Sequence, residues 1–266
     1  MAEPGRIAAQ KPRLVVLNYH KIGNHDDFYS VSNEQFSQQV RYLLNQGYSV
    51  IGLADFRSWR QGEIDLPEKV FMLTFDDGNL SDYETVFPYI KKHDLKAVFF
   101  LKSKAINTAG YLNHTQITEM SGSGLCEFGS HSVNHQNVVS MAKKILDKEL
   151  VDSRKTIQAI TGQDVYAFAY PNGMWDEFAK EALAKNGYQI AFTVMPGKND
   201  LTTDPLELRR ITVNRGSSQK IFAAWVDGDA KLYKKYYSAM LEKTSKDGLT
   251  SVATLCKEEL QKFQGR

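Results

Sequence analysis

The sequence predicts an α/β protein built on a mainly parallel sheet, either closed into a barrel or doubly wound. Two observations predict it. Short β-branched and aromatic runs recur along most of the chain, and the segments between them keep their apolar residues at helical spacing. Strand and helix alternating this often call for parallel strands joined by crossover helices. A third observation bounds the class: the longest apolar stretches, 70–73 and 97–101, fall far short of the roughly 18 residues of a membrane-spanning helix.

Strands are expected at residues 14–19, 49–52, 70–75, 97–101, 125–129, 165–170, 189–194 and 210–213. After the first, Phe36, Val40, Leu43 and Leu44 lie on one helical face behind a Ser32/Asn33 cap, and Gly47 stops the stretch. Tyr83, Val86, Phe87 and Ile90 mark a second helix, and His114 begins another. The longest stripe, Ile145, Leu146, Leu150, Ile157 and Ile160, closes at Gly162. From Ser217 the pattern is helical only, with Tyr233, Tyr236, Tyr237, Met240 and Leu241 followed by Val252, Leu255, Leu260 and Phe263. The expected organisation is a flexible segment at 1–13, one α/β domain at 14–216, and a helical appendix at 217–266 packed on it.

The 266 residues carry 33 Lys+Arg against 31 Asp+Glu, a formal net charge of +2 that argues against nucleic acid or another polyanion as partner. A chain of this size buries roughly 70–75% of its extended surface and needs no disulfide to fold. Cys126 and Cys256 lie far apart, match no metal spacing and are expected as free thiols. Residues 1–12 are not followed by an apolar core segment, so no secretory signal is expected in the chain as given. No G-x-S-x-G, P-loop or dinucleotide fingerprint follows an expected strand, which removes support for serine-hydrolase and nucleotide-dependent chemistry.

In parallel α/β architectures chemistry collects where the strands end, because the loops there converge. The strand at 14–19 ends in His20, that at 70–75 in Asp76-Asp77-Gly78, that at 97–101 in Lys102, that at 125–129 leads to His131 and His135, and that at 165–170 ends in Pro171-Asn172-Gly173. Four of these five ends carry an ionisable group.

Adjacent carboxylates at the mouth of a buried strand repel unless a cation compensates. Taken alone, Asp76 and Asp77 read equally well as caps of the helix that begins near Ser81. His131 and His135 form H-x-x-x-H, which on a helical turn places both imidazoles on one face at metal-ligand spacing. Joined by Asp77, they make a three-ligand site with open positions, suited to Zn²⁺ or another first-row divalent ion. Asp76 is then free to act as general base on a water acidified to a pKa of roughly 7. His25, Asp26 and Asp27 are expected in a solvated loop, and His93 near a helix C-terminus, where a cation suits the dipole. Trp175, two residues past Gly173, fits either a stacking platform for a sugar ring or a helix staple.

The motifs Thr74-Phe75-Asp76-Asp77-Gly78 and His131-Ser132-Val133-Asn134-His135 resemble those of the metal-dependent polysaccharide deacetylase family, carbohydrate esterase family four. The resemblance covers about 14–215. It implies a distorted (β/α) barrel of about seven parallel strands, Asp76 as catalytic base, and Asp77, His131 and His135 as ligands of one divalent metal, Zn foremost with Ni, Co or Fe as alternatives. The family's third motif is present only as Ala169-Tyr170-Pro171-Asn172-Gly173. Its arginine, which orients the base, is replaced by Ala169, and Lys102 is the expected substitute for the missing charge. The Asn172 backbone N–H matches the oxyanion donor, with Tyr170 and Trp175 beside it as substrate contacts, and the family's D-x-x-D-W motif is absent. No histidine follows His135; Tyr19-His20-Lys21-Ile22 instead resembles the rearranged order of the biofilm poly-β-1,6-N-acetylglucosamine deacetylases, which makes His20 the expected general acid.

The resemblance thus implies a monomeric hydrolase that removes N-acetyl groups from an N-acetylglucosamine polymer, outside the cell or at its surface, with peripheral association and no spanning segment. Deacetylation of chitin oligomers or peptidoglycan is the alternative within the class. A glycan-binding module with impaired catalysis is the alternative outside it, suggested by Ala169 and the absent motif.

Overall fold

The computed structural model describes residues 12–228. Its core is a parallel sheet whose strands follow the order β10-β1-β5-β6-β7-β8-β9: β1 (Arg13–Tyr19), β5 (Lys69–Asp77), β6 (Ala97–Leu101), β7 (Cys126–Ser130), β8 (Ala167–Ala169), β9 (Ile190–Phe192) and β10 (Ile211–Thr212). A short β4 (Ser49–Val50) pairs with the lower part of β5, and two-residue strands β2 (Lys21–Ile22) and β3 (Ser30–Val31) pair with each other beside the mouth. A bridge between Phe192 and Leu208 ties β9 to the segment leading into β10. Seven parallel strands thus curl into a distorted barrel, as expected from the resemblance; the doubly wound alternative is set aside.

Both faces of the sheet are covered, so its strands read as near-continuous apolar runs rather than alternating ones. Leu14, Val16, Met72, Val98, Phe100 and Phe192 fill the interior. Val15, Leu17, Tyr19, Phe71, Leu73, Phe75 and Phe99 face the helices. Those helices are α1 (Asn33–Asn45), α2 (Leu53–Arg60), α3 (Phe87–His93), α4 (His114–Gly122), α5 (Lys143–Thr161), α6 (Glu177–Lys185) and α7 (Gln219–Asp227). Ser32 caps α1 by accepting the Gln35 N–H, and Gly162 closes α5 in the left-handed conformation, both where the sequence places them.

Three features depart from the sequence reading. The expected strands at 165–170 and 189–194 shrink to three residues each, because Pro171 opens a tight turn and residues 193–199 leave the ladder. The helix after β5 starts as a π-helical turn, Asp82–Val86, before α3. The eight-residue α2 and the nine-residue α6 were not anticipated; α2 follows Gly52 as N-cap, and Glu127 from β7 accepts its Leu53 and Ala54 N–H groups. Of the C-terminal appendix, only α7 is described. It packs on α1, with Phe222 against Tyr42 and the Tyr42 hydroxyl donating to Asp227. The remaining residues of the appendix, Cys256 and residues 1–11 lie outside the described residues, while Cys126 is a buried free thiol.

Candidate active site

The strand ends of β1, β5, β6 and β7 converge as the sequence predicts, and the residue just before β10 adds a side chain that the sequence reading missed. Arg210, fully buried, donates from both guanidinium nitrogens to Asp76, Nη1 to Oδ1 and Nη2 to Oδ2, each at 2.7 Å. Its Nε donates to the Thr193 carbonyl at 2.8 Å, so the fork is braced from behind. Burial alone would raise the Asp76 pKa; the Arg210 charge and hydrogen bonds, with His131, outweigh it and hold the carboxyl well below the usual range. The cation that Ala169 does not offer is thus placed beside Asp76 by Arg210, just before β10, two strands from β5. A signal for it existed: Arg210 is a charged residue opening an otherwise apolar strand pattern.

Lys102 does not perform that task. Its ammonium lies 3.1 Å from Asp77 Oδ1 and donates to the Tyr111 hydroxyl at 3.3 Å, which corrects the expectation that it compensates for Ala169 by charging the base.

Asp77, His131 and His135 each offer one ligand atom, and the three atoms lie within 4.8 Å of one another. Asp77 Oδ1 is 3.9 Å from His131 Nε2 and 3.8 Å from His135 Nε2, and, buried, it has the Lys102 ammonium as an ion-pair partner at 3.1 Å. Donors separated in this way suit a cation about 2.0–2.2 Å from each, and one carboxylate with two imidazoles is a common set for a first-row divalent ion. His131 Nδ1 lies 2.7 Å from the Ala169 carbonyl; donating to it leaves Nε2 bare and aimed at the cluster. Burial and the neighbouring His131 lower the His135 pKa to about 4, so its ring is neutral and ready to ligate at pH 7. Asp77 falls below its usual range: burial raises it, and the surrounding His20, His131 and Lys102 more than reverse that.

The two histidines do not share a helical turn, contrary to the expectation from their spacing. Residues 131–135 form a bend in which Ser132 (φ 63°) and His135 (φ 56°) are both left-handed. Glu149 of α5 accepts the Val133 and Asn134 N–H groups at 2.9 Å each, and the Ser132 hydroxyl accepts that of His135 at 3.0 Å. On β5, Asp77 is left-handed as well (φ 82°), and Gly78 follows at φ 72°, where a Cβ would stand 2.7 Å from Leu101 Cδ2. Asn79 then bonds back through Nδ2 to the Asp76 carbonyl at 3.2 Å and the His20 carbonyl at 3.4 Å, tying the ends of β5 and β1 together. Backbone strain gathered around these residues marks a site whose geometry is over-determined by its surroundings.

His20 stands beside this centre, its ring tilted at 36° against that of Tyr29 with centroids 4.7 Å apart. Burial lowers its pKa against the pull of Asp76 and Asp77. Asn172 occupies the exposed, left-handed middle of the Pro171–Gly173 turn (φ 58°). The hydrogen bonds that close the turn, Gly173 N–H to Tyr170 O and Met174 N–H to Pro171 O, leave the Asn172 N–H out of both. Tyr170, expected among the substrate contacts, is fully buried and donates its hydroxyl to the Leu206 carbonyl, so its side chain belongs to the core. Trp175 packs against Tyr170 and under the Lys180 ammonium.

Residues 63–191 match the family described as Polysaccharide deacetylase. Among curated proteins, YxkH of Bacillus subtilis (strain 168) is 28% identical over 222 residues, 83% of this chain and 79% of that protein. The poly-beta-1,6-N-acetyl-D-glucosamine N-deacetylase of Staphylococcus epidermidis is 24% identical over 251 residues, 84% of this chain and 86% of its own. Among solved structures, IcaB from Ammonifex degensii superposes with a TM-score of 0.74 at 28% identity, covering 82% of this chain and 98% of that one.

Proposed function

The chain is a member of the polysaccharide deacetylase family, hydrolases acting on amide bonds, and we propose that it removes N-acetyl groups from the N-acetylglucosamine units of poly-β-1,6-N-acetyl-D-glucosamine. The observation that carries the reading is the pairing of the Asp77–His131–His135 cluster with a carboxylate, Asp76, locked beside it by Arg210. The choice of a β-1,6-linked polymer is supported by the likeness to the Staphylococcus epidermidis enzyme and by Tyr19-His20-Lys21-Ile22 at the start of the domain.

A divalent ion held by Asp77, His131 and His135, of which Zn²⁺ suits the donors best, would supply Lewis acidity toward the acetyl oxygen and acidify a water. Asp76 takes the proton of the attacking water; its depressed pKa keeps it ionised through the physiological range. The Asn172 N–H donates to the oxyanion of the tetrahedral species. His20, protonated for this step, gives its Nε2 proton to the departing nitrogen and is left neutral, the C–N bond breaks, and acetate leaves with a free amine on the sugar. A substrate of this kind places the enzyme outside the cell or at its surface; among the described residues no helix is long and apolar enough to cross a membrane.

The test is acetate release from β-1,6- and β-1,4-linked N-acetylglucosamine oligomers, with metal content measured on the same preparation. Turnover of the β-1,6 series supports the reading. Turnover of the β-1,4 series alone redirects it to chitin or peptidoglycan, and sugar binding without acetate release overturns the enzymatic role.

A further inference from the structure

Beside the candidate site, β1 and β10 bring together polar atoms that the fold leaves without a protein partner. Asn18 is fully buried, and neither its amide nitrogen nor its amide oxygen makes a hydrogen bond. Its register neighbours are Thr74 on β5 and Thr212 on β10, so three polar side chains stand abreast. Thr74 is satisfied: its hydroxyl donates to the Leu17 carbonyl at 2.7 Å and accepts from Arg210 Nη1 at 3.3 Å. The Thr212 hydroxyl is buried and unpaired, and two residues further along from Asn18 the His20 Nδ1 is buried and unpaired as well. Buried groups are nearly always bonded to protein or to ordered water, and four such atoms along one seam call for an explanation.

Their chemistry matches a single water. Asn18 Nδ2 donates and Oδ1 accepts, the Thr212 hydroxyl does either, and Nδ1 of an imidazole donates when it carries the hydrogen. A buried water makes about three such bonds. We propose that Asn18 and Thr212 hold an ordered water against Nδ1 of His20, and that the two act as positioning residues fixing the tautomer and orientation of that ring. Tyr29, its ring at 36° to the imidazole, restrains its lean, and the water fixes its rotation by accepting from Nδ1, so that hydrogen stays on Nδ1 and Nε2 is left to carry and give the proton. The assignment uses no side chain of the metal cluster and does not depend on the Arg210 clamp. It rests on the reading of His20 as the proton donor to the leaving amine.

The test is ¹⁵N imidazole spectroscopy of the full chain, with the His20 signal assigned by its loss in His20→Gln, alongside steady-state kinetics. The wild-type neutral ring is expected as a single Nδ1–H tautomer. Asn18→Leu and Thr212→Val each give a mixture of tautomers and lower kcat about tenfold with KM unchanged, whereas Thr212→Ser restores both. Wild-type tautomer and kcat in both Asn18→Leu and Thr212→Val overturn the proposal, as does a Thr212→Ser enzyme as impaired as Thr212→Val. If Asn18→Leu does not fold, the wild-type spectrum and the Thr212 pair still decide: a neutral wild-type ring with its hydrogen on Nε2 overturns it. Full turnover in His20→Gln removes the donor reading instead, and the tautomer measurements still report on the water.

Discussion

Arg210 and Asp76 lie 134 residues apart in sequence, yet each carboxylate oxygen of the aspartate takes one guanidinium nitrogen at 2.7 Å. This bidentate pair fixes the plane of the carboxylate as well as its charge, which a lysine could not do. Arg210→Lys is expected to lower kcat about 100-fold while metal remains bound. Since Arg210 depresses the Asp76 pKa, its loss raises that pKa, and a base is active only when ionised. The acid limb of the kcat/KM profile must therefore move to higher pH in Arg210→Met. An unmoved limb in a folded, metal-loaded variant would contradict the clamp. Removing one partner of a buried pair also costs about 3–5 kcal/mol, so the denaturation midpoint should fall too.

Metal binding and base catalysis should separate by mutation. Asp77→Asn and His131→Ala are expected to lose stoichiometric metal after dialysis, together with acetate release. Asp76→Asn keeps its metal and loses turnover. Metal analysis on the purified variants checks both, and retention of wild-type turnover by Asp76→Asn would remove it from the mechanism.

Lys102 places a cation 3.1 Å from the same oxygen that Asp77 offers to the cluster. Two cations at one oxygen oppose each other, so Lys102→Met should bind the divalent ion several-fold more tightly by chelator competition. The acid limb of the rate profile, set by Asp76 and Arg210, should stay in place. A shifted limb with unchanged metal affinity would restore the role that the sequence reading gave to Lys102.

Asp82 is fully buried on the π-helical turn, and burial pushes its pKa well above the usual range, with Asp77 adding to the shift. The folded chain then holds a proton that the unfolded chain releases above a pH of about 4, so this residue's contribution to stability falls as pH rises from there toward the folded pKa. Asp82→Asn removes that dependence. Thermal melts of metal-free protein should show a gain in Tm that grows between pH 4 and pH 7; a gain independent of pH would mean that Asp82 is ionised in the fold.

What the sequence disclosed follows from how local each determinant is. Asp76, Asp77, His131 and His135 sit at strand ends whose apolar runs are unmistakable, and the Ser32 and Gly162 caps are single-residue signals. The bend at 131–135 was not legible, because it depends on Glu149, contributed by a helix packed beside it. Nor was the role of Arg210, whose proximity to Asp76 exists only once the strands curl round and β10 docks on β1. Tyr170 misled for a related reason: its motif position is right, but its side chain turns inward to Leu206.

The position of that clamp has a consequence for the nascent chain. Every cluster ligand has emerged by residue 135, but the side chain that orients Asp76 arrives only with β10, after nine strands have been made. A chain arrested before residue 210 would carry a complete ligand set and a misaligned base. Among the described residues the last strand thus joins the base to the ligand set, and a complete cluster is not by itself a complete site.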